Sequence, residues 1–305
     1  MLRSAALIPA SLVLAGMASG AGAAPLIVPF DFSRSAIALD VSIGGRPVHM
    51  LLDTGVDPSL IDLGRADELG IAVDRHDGGE ATGFGDGKGA AVFPSRIDRL
   101  TIGDRSFPAF EALAADTTAI SNGYGGRIDG ILGYSFVTDK IVLIDYPDQK
   151  LGILSNAGEA KAMTRTCRTR WSTTLRTVDS FPVVPGFRIG SAKAPVTFDT
   201  GSNGGIALFG SARELPGVAA ALQENGSVTH VGARGDSRTV RYRLAAPVGF
   251  GPFSLPAGQT VVIHAEQGSR KTRVANIGNK LMAEMKLKVL LDYRARRMAF
   301  YGDCG

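Results

Sequence analysis

Residues 49–62 read HMLLDTGVDPSLID, an apolar run that ends in an acid and a turn. Asp53 follows the apolar pair Leu51-Leu52 and precedes Thr54 and Gly55. Because an ionised carboxylate is costly to bury without a partner, an acid at the end of a buried strand requires an explanation. Either Asp53 caps a turn, or its carboxylate takes part in chemistry.

The same signature occurs a second time. Residues 195–208 read PVTFDTGSNGGIAL, so Asp199-Thr200-Gly201 again closes an apolar run. Such a repeat at a fixed spacing predicts an internal duplication. Three landmarks agree on the spacing, namely the aspartates (146 positions), the glycines of Ile131-Leu132-Gly133 and Asn276-Ile277-Gly278 (145 positions) and the Asp-Tyr pairs that begin at Asp145 and Asp292 (147 positions).

Short runs of apolar, β-branched and aromatic residues, bounded by Gly, Pro, Asp and Asn, recur through both copies and are typical of strands. They predict an all-β chain with tight hairpin turns at residues 43–46 and 102–105. Small and polar residues between Ser155 and Thr166 interrupt this pattern, so we predict two halves, residues 25–158 and 159–305. Short helices are predicted only at Leu63–Leu69, Ser211–Leu222 and Lys280–Lys286.

Residues 1–24 have the composition of a removable signal peptide, with Arg3 before an apolar run and small residues at 21–23. The run is shorter than the roughly 20 residues that span a bilayer. We therefore expect a periplasmic or secreted protein with no stable membrane insertion after the signal is removed. In such a compartment Cys167 and Cys304 are expected to form a disulfide, and the alternative is two unpaired buried thiols.

Several classes of function are disfavoured. The formal charge of +4 at pH 7 is small and dispersed, so no nucleic-acid partner is expected. The histidines and cysteines lack metal-site spacing, and no phosphate loop or nucleophile elbow occurs, so no metal or other cofactor is expected. The basic run from Arg270 to Arg273 is predicted to be a turn with solvated charges.

Two Asp-Thr-Gly loops, each followed by an apolar-glycine element, resemble the aspartic peptidases, the pepsin-like and retropepsin-like clan. The resemblance covers about Leu26 to Tyr301 and is to an exported, bacterial-type, two-lobe member. It implies a bilobal pepsin-like acid protease fold, in which two pseudo-twofold-related β lobes each give one loop to a shared cleft. It also implies an aspartic endopeptidase that acts on polypeptides and, since both loops lie in one chain, is complete as a monomer.

The resemblance makes Asp53 and Asp199 the catalytic pair. Two carboxylates about 3 Å apart cannot both ionise cheaply, so they share a proton. One carboxylate then accepts a proton from a water held between them, while the other donates one to the scissile carbonyl oxygen. For each Asp taken alone, turn capping remains the alternative.

Supporting roles follow for the rest of each loop. Thr54 and Thr200 would hydrogen-bond across the lobe interface, and Gly55 and Gly201 would keep side chains away from the carboxylates. Ser202 carries the hydroxyl that in the family donates to the outer oxygen of a catalytic carboxylate, whereas the matching residue of the first loop is Val56. Such a donor lowers the pKa of the carboxyl that accepts from it, and Val56 cannot donate. We therefore predict that the lower of the pair's two pKa values is less depressed than in a pepsin with both hydroxyls, and that the protein works at milder pH.

Substrate contacts are predicted in two places. Asp57 either binds substrate amides, as in retropepsins, or is a turn acid before Pro58. Gly83-Phe84-Gly85 is predicted to be the tip of a flap over the substrate, with residues 232–235 as its counterpart, and surface hairpins are the alternative. Phe84 lacks the hydroxyl of a pepsin flap tyrosine. A non-catalytic peptide-binding protein that retains the fold is the alternative function.

Overall fold

The computed structural model describes residues 24–81, 88–232, 235–264 and 273–305, with the side chains of residues 231 and 232 left aside. Strands dominate these segments, and the longest α-helices have seven residues. The predicted all-β character with a few short helices is therefore confirmed. Within the described residues, no helix is long and apolar enough to span a membrane.

The strands are named in chain order. Those of the first half are β1 (Leu26–Pro29), β2 (Ala38–Ile43), β3 (Arg46–Leu52), β4 (Ser59–Asp62), β5 (Gly79–Glu80), β6 (Ala91–Ile97), β7 (Leu100–Ile102), β8 (Arg105–Phe107), β9 (Phe110–Ala115), β10 (Gly130–Leu132), β11 (Ile141–Asp145) and β12 (Lys150–Leu154). Those of the second half are β13 (Cys167–Thr174), β14 (Thr177–Val178), β15 (Phe181–Ile189), β16 (Ala192–Asp199), β17 (Ile206–Phe209), β18 (Leu222–Gly232), β19 (Gly235–Leu244), β20 (Val248–Phe250), β21 (Phe253–Leu255), β22 (Gln259–His264), β23 (Ala275–Gly278), β24 (Lys288–Asp292) and β25 (Arg297–Cys304).

The helices are α1 (Leu63–Leu69), α2 (Thr118–Tyr124), α3 (Tyr134–Val137), α4 (Ala157–Met163), α5 (Val218–Ala221) and α6 (Asn279–Glu284), with a 3₁₀ turn at Gly210–Glu214. The first predicted helix is confirmed as α1, and the third matches α6 within two residues. The prediction of one helix over Ser211–Leu222 is wrong. Pro216 cannot donate a helical hydrogen bond and Gly217 has a φ of 77°, so the segment divides into the 3₁₀ turn and α5.

Two large sheets have the same strand order. The first runs β5-β6-β9-β4-β10-β3-β2-β7-β8, and the second runs β18-β19-β22-β17-β23-β16-β15-β20-β21, with β14 paired beside β15. In each, the strand before an Asp-Thr-Gly loop lies parallel to the strand that carries the apolar-glycine element. The duplication read from the sequence is therefore present in the pairing of the strands.

A third sheet joins the two halves, in the order β1-β12-β11-β24-β25-β13. Its middle strands β11 and β24 pair antiparallel from Ile141–Asp292 to Asp145–Lys288. Every residue of these two strands is buried, as short continuous apolar runs predict. The Lys288 Nζ donates to Asp145 Oδ2 at 2.5 Å, so a buried ion pair also crosses between the halves.

Turn and connection chemistry follows the sequence in most places. Gly44 and Gly45 have φ of 58° and 78°, the left-handed values that the tight hairpin between β2 and β3 requires. Cys167 and Cys304 form the predicted disulfide, across the β13–β25 pair. The predicted division after residue 158 falls inside α4 and not in a loop.

Candidate active site

Each Asp-Thr-Gly loop begins where a central strand of a large sheet ends. Leu52 of β3 lies opposite Leu132 of β10, and Asp199 of β16 lies opposite Gly278 of β23. The backbone N–H of Asp53 donates to the carbonyl of Leu132 at 3.0 Å, which extends the ladder as far as the acid. Asp53 and Asp199 therefore stand at equivalent points of the two sheets.

The glycine of each apolar-glycine element makes room for the neighbouring loop. A Cβ atom at residue 133 would lie 2.3 Å from the carbonyl oxygen of Val56, and one at residue 278 would lie 2.5 Å from that of Gly204. Those approaches are too close for any side chain, so the motif needs glycine at both places. This contact is the reason that the elements recur after each loop.

Thr54 and Thr200 join the two loops. The backbone N–H of Thr54 donates to Thr200 Oγ1 at 2.8 Å, and the backbone N–H of Thr200 lies 3.4 Å from Thr54 Oγ1. Both residues are only 1% exposed. Buried polar groups need partners, and here each threonine satisfies the other's backbone, which fixes the spacing of the loops.

Each carboxylate is held by the backbone of its own loop. Gly55 N–H donates to Asp53 Oδ1 at 2.8 Å, and Gly201 N–H donates to Asp199 Oδ1 at 2.9 Å. Ser202 adds a second backbone donor to Asp199 Oδ1 at 3.2 Å. Its contact with this carboxylate is thus made by the backbone N–H and not by the hydroxyl that the resemblance implied.

Asn276 supplies a donor to the second carboxylate oxygen of Asp199, the one that its own loop leaves free of backbone N–H groups. Its Nδ2 donates to Oδ2 at 3.1 Å, and its Oδ1 accepts a hydrogen bond from the Thr197 hydroxyl. Asn276 is 1% exposed, and at the matching place of the first half the chain has the apolar residue Ile131. This polar residue in an otherwise apolar strand puts an amide against the candidate catalytic acid. The first loop has Val56 at the position of Ser202 and no such amide at Ile131.

The two carboxylates interact electrostatically. Asp199 is 6% exposed and Asp53 is partly exposed, but both are surrounded by protein. Burial raises the pKa of both carboxyls. The negative charge of Asp53 raises the pKa of Asp199 further, whereas the N–H groups of Gly201 and Ser202 and the charge of Arg273 oppose the rise. Such a coupled pair loses its protons in two steps that belong to the pair.

A chain of hydrogen bonds from the first half supports the second loop. The Tyr146 hydroxyl donates to Asn279 Oδ1 at 2.7 Å, and Asn279 Nδ2 donates to the carbonyl of Thr200 at 2.6 Å. Asn279 is fully buried, and its backbone N–H also donates to the carbonyl of Ser202 at 3.0 Å. The Asp-Tyr landmark thus contributes to the geometry of the site.

A hairpin from the second half lies against the first loop. The Ser180 hydroxyl donates to Asp57 Oδ2 at 2.9 Å, and the Phe181 ring lies on Gly55, where a Cβ atom would be 1.9 Å from Phe181 Cε1. Asp57 is exposed and has a side-chain partner from the other half, so both roles considered for it stay predictions. The predicted flap residues Gly83, Phe84 and Gly85 lie outside the described residues.

The interpretation of Arg273 as a solvated turn residue is wrong. Its guanidinium lies 5.0 Å from the centre of the Phe181 ring and 5.5 Å from that of Phe209. An aromatic stack of this kind holds a cation in place at reduced hydration. The sequence carried no signal for it, because Phe181 and Phe209 are distant from Arg273 along the chain.

Residues 39–136 match the family model described as aspartyl protease. The matched segment contains the first Asp-Thr-Gly loop and Ile131-Leu132-Gly133, and it ends before the second loop at residues 199–201. Among curated proteins, no match to the chain was found. The match supports aspartic protease activity, a hydrolase that acts on a peptide substrate.

Proposed function

We propose that this protein is an aspartic endopeptidase that hydrolyses peptide bonds with a water activated between Asp53 and Asp199. The observation that carries the proposal is the threonine-locked pair of loops, in which Thr54 N–H donates to Thr200 Oγ1 at 2.8 Å and each Asp accepts its own loop's glycine N–H. No capping role for either acid alone requires the two loops to be joined. The family match over residues 39–136 supports the same chemistry for the first loop.

The mechanism uses the pair as one acid and one base. Between its two ionisations the pair holds a single proton, because burial and mutual repulsion keep both carboxyls from ionising together. The ionised carboxylate removes a proton from a water as that water attacks the scissile carbonyl carbon. The protonated carboxyl gives its proton to the carbonyl oxygen, and the resulting tetrahedral diol collapses with proton transfer to the leaving amine. No covalent enzyme intermediate forms.

Asn276 makes the two acids unequal. Asp199 accepts from Gly201, Ser202 and Asn276, and hydrogen bonds donated to a carboxylate stabilise its charged form. The amide therefore lowers the pKa of the Asp199 carboxyl, a role that the family gives to a hydroxyl. Thr197 fixes its orientation by donating to Oδ1, which turns Nδ2 toward Asp199.

The same proposal gives the chain a bilobal pepsin-like organisation, with lobes at residues 25–158 and 159–305 after a signal peptide at 1–24. The matching strand orders and the shared sheet support two related lobes. The disulfide supports a periplasmic or secreted location, where such bonds persist. Because one chain carries both acids, we propose that the monomer is active.

The test is cleavage of an unfolded polypeptide by the purified mature protein, followed by mass spectrometry. Asp53→Asn and Asp199→Asn are each expected to lower kcat/KM by about 10²- to 10⁴-fold, the usual contribution of general acid-base catalysis. Asp98→Asn, which changes an acid whose side chain is 90% exposed, is the control and should leave the rate unchanged. Tight peptide binding without cleavage by the unaltered protein would instead establish the non-catalytic binding function.

A further inference from the structure

Arg273 is a basic group whose charge reaches the candidate catalytic pair. The positive charge of Arg273 acts on Asp199, and in turn Asp179 and Asp199 act on Arg273. Phe181 links the guanidinium to the first loop, because its ring lies on Gly55 and 5.0 Å from Arg273. Since Gly55 N–H is the donor to Asp53, one aromatic ring separates the cation from the catalytic loop.

The guanidinium has hydrogen-bonding capacity that the described residues do not use. Its Nε and Nη1 atoms are buried and have no hydrogen-bond partner in the part of the chain that the structure describes. A buried donor without a partner destabilises the fold, and more so when it is charged. Arginine side chains stay protonated in proteins, so the guanidinium cannot avoid this destabilisation by losing a proton.

The neighbouring acids do not account for this capacity. Asp199 already accepts from Gly201, Ser202 and Asn276 at 2.9–3.2 Å. Asp179 is exposed at the tip of the hairpin between β14 and β15 and influences Arg273 through its charge alone. The aromatic rings of Phe181 and Phe209 hold the guanidinium but accept no strong hydrogen bond from it.

We propose that Arg273 is a specificity-determining residue that binds a carboxylate of the polypeptide substrate beside the scissile bond. The carboxylate is either an acidic side chain next to that bond or the terminal carboxylate of the chain. A guanidinium matches a carboxylate through paired, charge-assisted hydrogen bonds, and the aromatic stack fixes its plane in advance. The proposal rests on the peptidase function and adds its substrate class, which is polypeptides with an acidic group at the cleavage site.

The experiment compares matched peptides that differ in one group. One pair carries Glu or Gln at each position flanking the cleaved bond, and the other carries a terminal carboxylate or carboxamide one residue after it. The wild-type protein is expected to favour the charged member of one pair by about 10- to 100-fold in kcat/KM. The pair that shows the preference identifies the source of the carboxylate.

The matched variant is Arg273→Met, which keeps an unbranched apolar stem against the rings and removes the charge. It is expected to reduce the preference to about onefold, and Arg273→Lys, which keeps the charge but not the planar fork, to leave part of it. The ratio of kcat/KM between the two peptides of a pair does not depend on the pH optimum of the variant, because the same two aspartates cleave both peptides. Thermal unfolding of each variant reports whether it folds.

The outcomes separate this inference from the function beneath it. Cleavage of both members of every pair at equal rates by the wild-type protein, or a preference that survives in folded Arg273→Met, overturns the carboxylate site and leaves the peptidase intact. Absence of cleavage overturns the peptidase. In that case binding of the same peptides to Asp53→Asn still decides the carboxylate site, since a preference for the charged member should appear in Kd.

Discussion

A Cβ atom built on Gly201 would lie 2.0 Å from Oδ2 of Asp53, so the backbone of one Asp-Thr-Gly loop touches the carboxylate of the other. Gly201→Ala is therefore expected to displace the Asp53 carboxylate from its present position. Displacements on the order of 1 Å lower catalytic rates by about 100-fold, and we expect a loss of at least that size in kcat/KM.

Gly205→Ala is the control for that change. A Cβ atom at residue 205 meets nothing within 4 Å, so the variant should keep its activity. The far-ultraviolet circular dichroism of both variants should match that of the unaltered protein. Full activity in Gly201→Ala would show that the two loops do not need their close contact.

Asn276→Leu removes the amide that donates to Asp199 Oδ2 at 3.1 Å and puts an apolar residue there, like Ile131 in the first half. Since a donor to the charged form lowers a carboxyl pKa, its loss should move the pH profile of kcat/KM to higher pH. Thr197→Val removes the hydroxyl that orients the amide and should cause a smaller shift. A profile unchanged in Asn276→Leu would reduce Asn276 to a packing residue.

The unaltered protein should itself have an unusual pH range. Burial raises the pKa of both Asp53 and Asp199, so both limbs of the bell-shaped profile are expected above the ordinary aspartate value of about 3.9. Activity confined to pH below about 3 would contradict this, because the pair would then be fully protonated.

Asp199→Asn should stabilise the fold at neutral pH. The folded-state pKa of Asp199 is raised above that of the unfolded chain, so its contribution to stability is complete at low pH and is lost as pH rises through the folded value. The asparagine side chain of the variant does not ionise, so the variant does not lose this stability as the pH rises. The free energy of unfolding of the variant is expected to exceed that of the wild type near pH 8 by at least about 1 kcal/mol, which is the effect of a single unit of the raised pKa.

The difference in free energy of unfolding between Asp199→Asn and the wild type should depend on pH, and this dependence tests the prediction. Urea unfolding at pH 4 should show little advantage for Asp199→Asn, because the wild-type carboxyl is then protonated. An advantage that is equal at both pH values would point to a packing effect and not to the charge.

The disulfide between Cys167 and Cys304 closes a loop of 137 positions. In the chain-entropy model such a loop corresponds to at most about 5 kcal/mol, so replacing both cysteines by serine should lower the free energy of unfolding by about 2–5 kcal/mol. A reductant should produce a similar loss in the wild type and none in the variant. Equal stability of the reduced and oxidised protein would show that the disulfide does not stabilise the fold.

Much of the fold could be predicted because its signals are local and occur twice. The apolar runs, the Gly44-Gly45 turn and the repeated Asp-Thr-Gly and apolar-glycine elements predicted strands, hairpins and duplication. The helix α4 was missed although Asn156 and Glu159 carry a capping signature, in which Asn156 Oδ1 accepts from Glu159 N–H at 3.1 Å. Its small, polar residues suggested a boundary instead.

The rest of the site depends on contacts between distant segments. The sequence shows Asn276 as a polar residue in an apolar strand. Its contact with Asp199 could not be predicted, because it depends on the parallel pairing of β23 with β16. Phe181 and Arg273 gave no local signal, since their roles arise only when a hairpin and a strand end meet beside Gly55. Tyr146 and Asn279 were in repeated motifs, but their hydrogen bond crosses from one half to the other.

The middle of the six-stranded sheet has a consequence for the integrity of the molecule. β11 and β24 belong to different halves, and each strand provides the hydrogen-bonding partner for one edge of the other. The buried charges of Asp145 in β11 and Lys288 in β24 also neutralise each other. A single backbone cut within α4 would therefore leave two fragments that still need each other for their unpaired edges. The nicked protein would behave as a non-covalent heterodimer of its own halves.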